Sequence, residues 1–269
     1  VRYATQGRND PLEAQPFTLT YPFGLAMVHN GNVINFRHLR RQLYEDHHRL
    51  VETSGDLELI LYTFASELER RDLKNLTVDD IFAAVEATQR KVHGAYSTLT
   101  IIANRGFLAF NDPRGIRPIV MGRKLTDHGV NWAFASESTT FDYLGYDIVR
   151  DLGPGEAVFI DREGRVHERV LYREKRTFCV FEYIYFSRED SIILGENVAS
   201  DRVRIGKKLA QTFAQAGIKP DIVIDVPNSA YFFASGLAEE LGLAYRRGLA
   251  KNPYMGRSFI LPDQASREK

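Results

Sequence analysis

Ala95-Tyr-Ser-Thr-Leu-Thr-Ile-Ile-Ala-Asn-Arg-Gly-Phe-Leu-Ala-Phe-Asn111 decides the fold class of the first half of the chain. Two apolar runs rich in β-branched and aromatic residues flank Asn104-Arg105-Gly106, which is turn chemistry, so residues 95–103 and 106–111 predict paired strands. The same texture continues downstream. Residues 117–122, 130–135 and 156–160 predict further strands, punctuated by Asp112-Pro113-Arg114-Gly115 and Gly153-Pro154-Gly155. Such a meander must be buried by helices or by a second sheet.

The cover is visible upstream. Phe36, Leu39 and Leu43 recur at helical spacing in an Arg-rich segment, which predicts a half-exposed helix. Leu57, Ile60, Leu61, Phe64 and Leu68 form one apolar face. That helix starts at Ser54 or Gly55, with Asp56 and Glu58 in the first turn, where the helix dipole favours carboxylates. A third helix begins at Thr77, with Asp80 as a capping-box acid. Before them, residues 24–28 are apolar and run into His29-Asn30-Gly31-Asn32, where Asn-Gly reads as a tight turn.

After a charge-rich stretch over residues 161–177, read as a linker, the texture changes. A helix is predicted from about Ser200 to Ala216, ending at Gly217. Residues 221–226 predict a buried strand, residues 227–230 a tight loop, and residues 231–241 a helix closed by Gly242. Strand, loop and helix in that order place backbone N–H groups where an anion can be held. The expected architecture is therefore α/β, with an α+β first domain over residues 1–176 and the start of a parallel-sheet domain over residues 177–269.

Composition narrows the class. The 269 residues carry 35 Lys+Arg against 35 Asp+Glu, and zero net charge argues against nucleic-acid binding driven mainly by bulk electrostatics, although local patches survive any average. The apolar runs are too short to span a bilayer. No basic segment followed by an apolar one opens the chain, so a cytoplasmic protein is expected. The lone Cys179 excludes an internal disulfide and a zinc site of several thiolates.

Four residues at three places in the chain carry a chemistry beside their structural reading. Asn30 and Gly31 supply a side-chain amide and an adjacent N–H that can converge on an oxyanion. Arg2 offers a planar fork for a carboxylate, and Asp56 an anion for an ammonium. Together they suit an α-amino acid, although spacing alone does not force that conclusion. Their simpler readings are a hairpin turn, a surface charge and a helix-start acid.

Arg2-Tyr3-Ala4-Thr5-x-Gly7, Glu13-Ala14-Gln15-Pro16-Phe17, His29-Asn30-Gly31-Asn32 and Asp56-x-Glu58 resemble the class II, N-terminal-nucleophile glutamine amidotransferases. Three later runs narrow the resemblance to the amidophosphoribosyltransferase family: Arg150-Asp151-Leu152-x-Pro154-Gly155-Glu156, Phe181-Glu182-Tyr183-Ile184-Tyr185-Phe186-Ser187-Arg188-x-Asp190-Ser191, and Lys251-Asn252-x-Tyr254-x-Gly256-Arg257-Ser258-Phe259-Ile260. The resemblance implies a four-layer αββα glutaminase domain followed by the start of a type I phosphoribosyltransferase domain. It implies transfer of the glutamine amide nitrogen to phosphoribosylpyrophosphate, giving 5-phosphoribosylamine, the committed step of purine synthesis. Arg2, Thr5 and Asp56 would hold glutamine, and Asn30 with Gly31 would form the oxyanion hole. Asn228 and Ser229 would lie in the pyrophosphate loop, and Lys251, Tyr254 and Arg257 in the loop that closes over phosphoribosylpyrophosphate.

The resemblance also implies Mg2+ with the diphosphate substrate, purine nucleotides as feedback inhibitors, and a homo-oligomer at full length. Cys179 matches an iron–sulfur ligand of some members, but a small buried hydrophobe is the simpler reading. The pattern is broken in places. The family nucleophile is an N-terminal cysteine, whereas this chain opens on Val1. The paired-aspartate phosphate segment expected after Lys269 is not in it, so the sequence reads as a fragment. Asn228 replaces an acid, Pro253 replaces an arginine, and Gly55 before Asp56 is unusual. Two alternatives stand beside this reading: another class II amidotransferase, such as the one making glucosamine 6-phosphate, and a non-catalytic nucleotide-binding relative.

Overall fold

The computed structural model describes residues 11–252, 254 and 264–267. The chain divides into two compact units. One holds the described residues up to Ser136 together with Phe141–Phe178; the other holds Glu137–Thr140 and the described residues from Cys179 onward.

In chain order the first unit contains β1 (Phe17–Leu19), β2 (Leu25–Val33), α1 (Phe36–His47), α2 (Asp56–Glu69), α3 (Val78–Lys91), β3 (Gly94–Ile102), β4 (Gly106–Asn111), β5 (Val120–Thr126) and β6 (Gly129–Ala135). The short α4 (Thr139–Leu144), which belongs to this unit from Phe141 onward, β7 (Asp147–Asp151), β8 (Glu156–Asp161) and β9 (Val166–Val170) follow. A six-stranded antiparallel sheet runs β1-β2-β3-β4-β8-β9, and a second, three-stranded sheet runs β6-β5-β7.

The strand period of two sorts the larger sheet's side chains to opposite faces. Leu108, Phe110, Ala157 and Phe159 join Leu57, Ile60, Leu61, Phe64 and Phe82 in the core beneath the helices. Their neighbours Ala109, Val158 and Ile160 pack instead with Ile119, Met121 and Phe134 of the second sheet's side. Both faces of β4 and β8 are therefore buried, which explains their nearly continuous apolar sequence. On the outer face of the second sheet the Phe141 ring lies over Gly122, where a Cβ would fall 2.9 Å from the ring. The layers are helices, sheet, sheet and a thin helical layer, the αββα order that the resemblance implied.

The local code explains the helix starts. Thr77 accepts from Asp80 N while the Asp80 carboxylate takes Thr77 N and Oγ1, a complete capping box. At α2 the Glu58 carboxylate accepts from Glu52 N, Thr53 N and Thr53 Oγ1, so this buried acid shapes the loop leading into the helix. Gly55 sits at φ −76°, and a Cβ there would meet only ordinary contacts, so nothing in the fold explains glycine at this position.

Four sequence expectations change. Asn30-Gly31 is no hairpin: both residues lie inside β2, which pairs with β3 as far as Val33 opposite Gly94. The stretch read as a linker contains β9, whose charged side chains suit an edge strand. The strand expected at residues 117–122 runs from Val120 to Thr126, and β7 completes its sheet. The strand expected over residues 221–226 is only Ile222–Val223, with Ile222, Ile224 and Val226 exposed.

The second unit contains β10 (Ile192–Ile193), β11 (Glu196–Asn197), α5 (Val198–Gln215), β12 (Ile222–Val223), α6 (Tyr231–Leu241), β13 (Ala244–Tyr245) and α7 (Gln264–Arg267). Strands β12 and β13 are parallel and joined through α6, a βαβ unit over a small core of Val223, Ala234 and Ala238. Helices α5 and α6 approach closely through glycines. A Cβ on Gly206 would lie 2.1 Å from Phe233 O, and one on Gly236 2.2 Å from Val203 O. The buried Arg202 guanidinium donates to Tyr183 O and Ser187 O, holding the aromatic 181–188 segment against α5. Glu137 and Ser138 enter this unit by accepting from Arg188 N, Ser191 Oγ and Ile192 N.

Candidate active site

Strand β2 carries the chemistry. Its odd-numbered residues Leu25, Met27 and Val33 face the helix core, so His29 faces the helices and Asn30 faces the other way. At Gly31 the backbone lies close against β3. A Cβ there would lie 1.9 Å from the Ala95 carbonyl oxygen, so only glycine fits.

On the helix side, Gln15 brackets His29. The Gln15 amide oxygen accepts from His29 N at 2.8 Å, and its Nε2 lies 3.0 Å from His29 Nδ1. An amide NH₂ only donates, so Nδ1 is the acceptor and the ring proton sits on Nε2. His29 Nε2 is 3.2 Å from Asp56 Oδ1, while Asp56 Oδ2 accepts from Val33 N at 3.1 Å. Asp56 is 1% exposed. Burial alone would push its carboxyl up, but the His29 ring and the Val33 N–H outweigh that and hold it below the usual carboxylate range. The loop before it is anchored from the other side, where Glu13 accepts from Ser54 N and Ser54 Oγ.

On the opposite side of β2, the Asn30 amide lies between Arg117 and Ser136. Arg117 Nη2 donates to Asn30 Oδ1 at 2.9 Å, and Asn30 Nδ2 donates to Ser136 Oγ at 3.3 Å. Arg117 closes a loop built on the fully buried Asp112, whose carboxylate accepts from Tyr96 N, Arg114 N and Ile116 N. Burial raises the Asp112 carboxyl in spite of those N–H groups. Ser97 Oγ donates to Arg117 O at 3.0 Å, tying the loop to β3.

Of the residues expected at the glutamine site, Asn30 and Gly31 lie on β2, while Asp56, at the start of α2, meets that strand from the face opposite the Asn30 side chain. The Asp56 carboxylate, expected to meet a substrate ammonium, is buried and already paired with His29. Arg2 and Thr5 lie outside the described residues, as do Pro253 and Arg257. In the second unit Asn228 is exposed and Ser229 half-buried in the loop before α6, while Lys251 and Tyr254 are exposed. Cys179 is half-buried, not the buried hydrophobe expected. Sequence reasoning missed His29, Gln15 and Arg117 as site residues. His29 and Gln15 stood in quoted motifs without a role, and Arg117 was read only as the start of a strand.

Among the described residues no cluster of three or more His, Cys, Asp or Glu side chains is arranged to hold a metal ion, and no helix is long and apolar enough to cross a membrane.

Comparison with known proteins gives this geometry its class. Residues 5–142 match the glutamine amidotransferase domain family, and the chain belongs to it. Over its whole length the chain is similar to proteins named amidophosphoribosyltransferase: 42% identical to the one from Pseudomonas aeruginosa and 41% to the one from Escherichia coli, covering 100% of this chain and 54% of each relative. The Schizosaccharomyces pombe protein of that name is 41% identical over the same shares. Among solved structures, a glutamine phosphoribosylpyrophosphate amidotransferase from B. subtilis, complexed with ADP and GMP, superposes with a TM-score of 0.78 at 36% identity, covering 100% of this chain and 55% of that one. The chain therefore spans about half the length of the relatives it matches.

Proposed function

We propose that this chain supplies the glutamine-splitting unit, and the beginning of the acceptor unit, of an amidophosphoribosyltransferase. The observation that carries the reading is similarity to proteins of that name across both units, at 41–42% identity over 100% of this chain and 54% of each relative. The reaction hydrolyses the glutamine amide and uses the nitrogen to displace pyrophosphate from phosphoribosylpyrophosphate, an early step of purine synthesis.

In the first unit, Asn30 Nδ2 and Gly31 N–H stabilise the oxyanion that develops on the amide carbonyl. Arg2 and Thr5 hold the α-carboxylate side of glutamine, and Asp56 takes the ammonium, which must replace His29 at the carboxylate. In the second unit the loop of Asn228 and Ser229 faces pyrophosphate, and Lys251, Tyr254 and Arg257 close over the sugar diphosphate to exclude water. Mg2+ arrives with the diphosphate and neutralises its charge. Cys179 offers one of the thiolates an iron–sulfur cluster takes, and a cluster needs several. The full-length protein is proposed to be a cytoplasmic homo-oligomer inhibited by purine nucleotides.

The test uses the full-length gene product and measures pyrophosphate release from phosphoribosylpyrophosphate with glutamine and with ammonia. Both donors are expected to work. Asp56→Asn is expected to abolish most glutamine-dependent turnover while ammonia-dependent turnover persists. Equal loss with both donors contradicts the division of labour, and no turnover with either donor favours the non-catalytic alternative.

A further inference from the structure

We infer that Arg117 is a positioning residue for amide hydrolysis: it fixes the Asn30 side chain with its NH₂ group turned toward the reacting carbonyl. The inference rests on the oxyanion role proposed for Asn30. An asparagine amide is nearly symmetric in shape, and a half-turn about its last bond exchanges a donor for an acceptor. In the flipped state an oxyanion hole would present oxygen to a developing negative charge and repel it. A guanidinium has five N–H donors and no acceptor, so the atom facing Arg117 must be Oδ1.

The observed 2.9 Å contact from Arg117 Nη2 to Asn30 Oδ1 therefore sets the other end of the amide as donor. That end rests on Ser136 Oγ at 3.3 Å, a long bond to a neutral acceptor, which an oxyanion outcompetes. The chain from guanidinium N–H through the amide to the oxyanion is also polarised in one direction, since each hydrogen bond strengthens the next. The support behind Arg117 is rigid. Asp112 collects two loop N–H groups, those of Arg114 and Ile116, together with Tyr96 N of β3, and Ser97 Oγ holds the Arg117 carbonyl, so the guanidinium is aimed before substrate arrives. Arg117 itself touches no reacting atom.

The experiment compares wild type, Arg117→Ala, Arg117→Lys, Asn30→Ala and the Asn30→Ala/Arg117→Ala double variant in the full-length protein. Steady-state kinetics are run with glutamine and with ammonia, after far-UV circular dichroism has confirmed folding. Arg117→Ala is expected to lower the glutamine kcat about tenfold or more, within the range set by loss of one oxyanion donor, with little change in the glutamine KM. The ratio of glutamine to ammonia turnover falls by the same factor. Arg117→Lys, which keeps a cationic N–H donor without the planar fork, recovers part of the loss, and added guanidinium at millimolar concentration partly rescues Arg117→Ala. Because Arg117 acts through Asn30, the double variant is no slower than Asn30→Ala.

Additive losses, a drop in both activities together, or no loss in Arg117→Ala overturn the inference. If Arg117→Ala does not fold, Arg117→Lys decides by its own ratio and its own double variant. A wild type that cannot use glutamine, in contrast, defeats the underlying reading of Asn30 before Arg117 is reached.

Discussion

One added carbon at position 31 is enough to test how β2 is built. The Cβ of Gly31→Ala would lie 1.9 Å from the Ala95 carbonyl oxygen, inside any permitted contact, so β2 or β3 must shift along the pair that carries Asn30. The expected cost is about 3 kcal/mol or more, read as a fall in thermal midpoint. Asp56 makes a different kind of statement. Its carboxyl is held below the usual range in the folded state, so the unfolded chain takes up the proton first as the medium becomes acid. The stabilisation is fully present above an unfolded carboxyl pKa of about 3.9 and is lost as pH falls through the lower folded value. Asp56→Asn is expected to cost about 1–3 kcal/mol at neutral pH, as a buried hydrogen-bonded charge is replaced by a neutral amide. Denaturant titrations of the two proteins should converge below about pH 4. A constant difference across that window would show that the carboxylate charge is not what stabilises the contact.

Helix α3 has a start legible in the sequence, and its strength is measurable. Thr77 and Asp80 form the reciprocal pair that the spacing predicted, so Thr77→Ala is expected to cost about 1 kcal/mol in equilibrium unfolding. Legibility failed where a local signal competed with a tertiary one. Asn30-Gly31 carries the strongest hairpin dipeptide, yet the glycine is there because β3 crowds the backbone, a fact no window of neighbours contains. Strand β9 was hidden by Arg and Glu side chains that an edge strand tolerates on its open side. The apolar run at residues 221–226 promised a buried strand, but burial depends on what lies over it. Only Val223 and Asp225 are covered among the described residues there, while Ile222, Ile224 and Val226 face outward. Of the candidate site, Asn30, Gly31 and Asp56 were named from residue types that allow a chemistry and from the family resemblance, and the fold sets them on β2 and at the start of α2 beside it. The residues that aim them, His29, Gln15 and Arg117, were not readable, because an aiming role exists only between elements brought together by the fold.

For the whole molecule, each unit has a core of its own, and the two cores differ in kind. The first buries large side chains in two layers between helices and sheets; the second closes α5 on α6 through backbone contact at Gly206 and Gly236, over a small core. A methyl group at either glycine has no space, and the atoms it meets are carbonyl groups of the facing helix, which cannot rotate away. Gly236→Ala is therefore expected to loosen the second unit by about 1–3 kcal/mol, the usual cost of overpacking. The chain carries its own reporter for the first unit, since its single tryptophan, Trp132, lies on β6 against the inter-sheet core. In Gly236→Ala the Trp132 fluorescence midpoint should hold at the wild-type value, while part of the far-UV helical signal melts earlier. If fluorescence and ellipticity instead move together by the same number of degrees, the units unfold as one and the separation of cores has no thermodynamic meaning. If neither moves, the close approach of α5 and α6 is not what holds the second unit together.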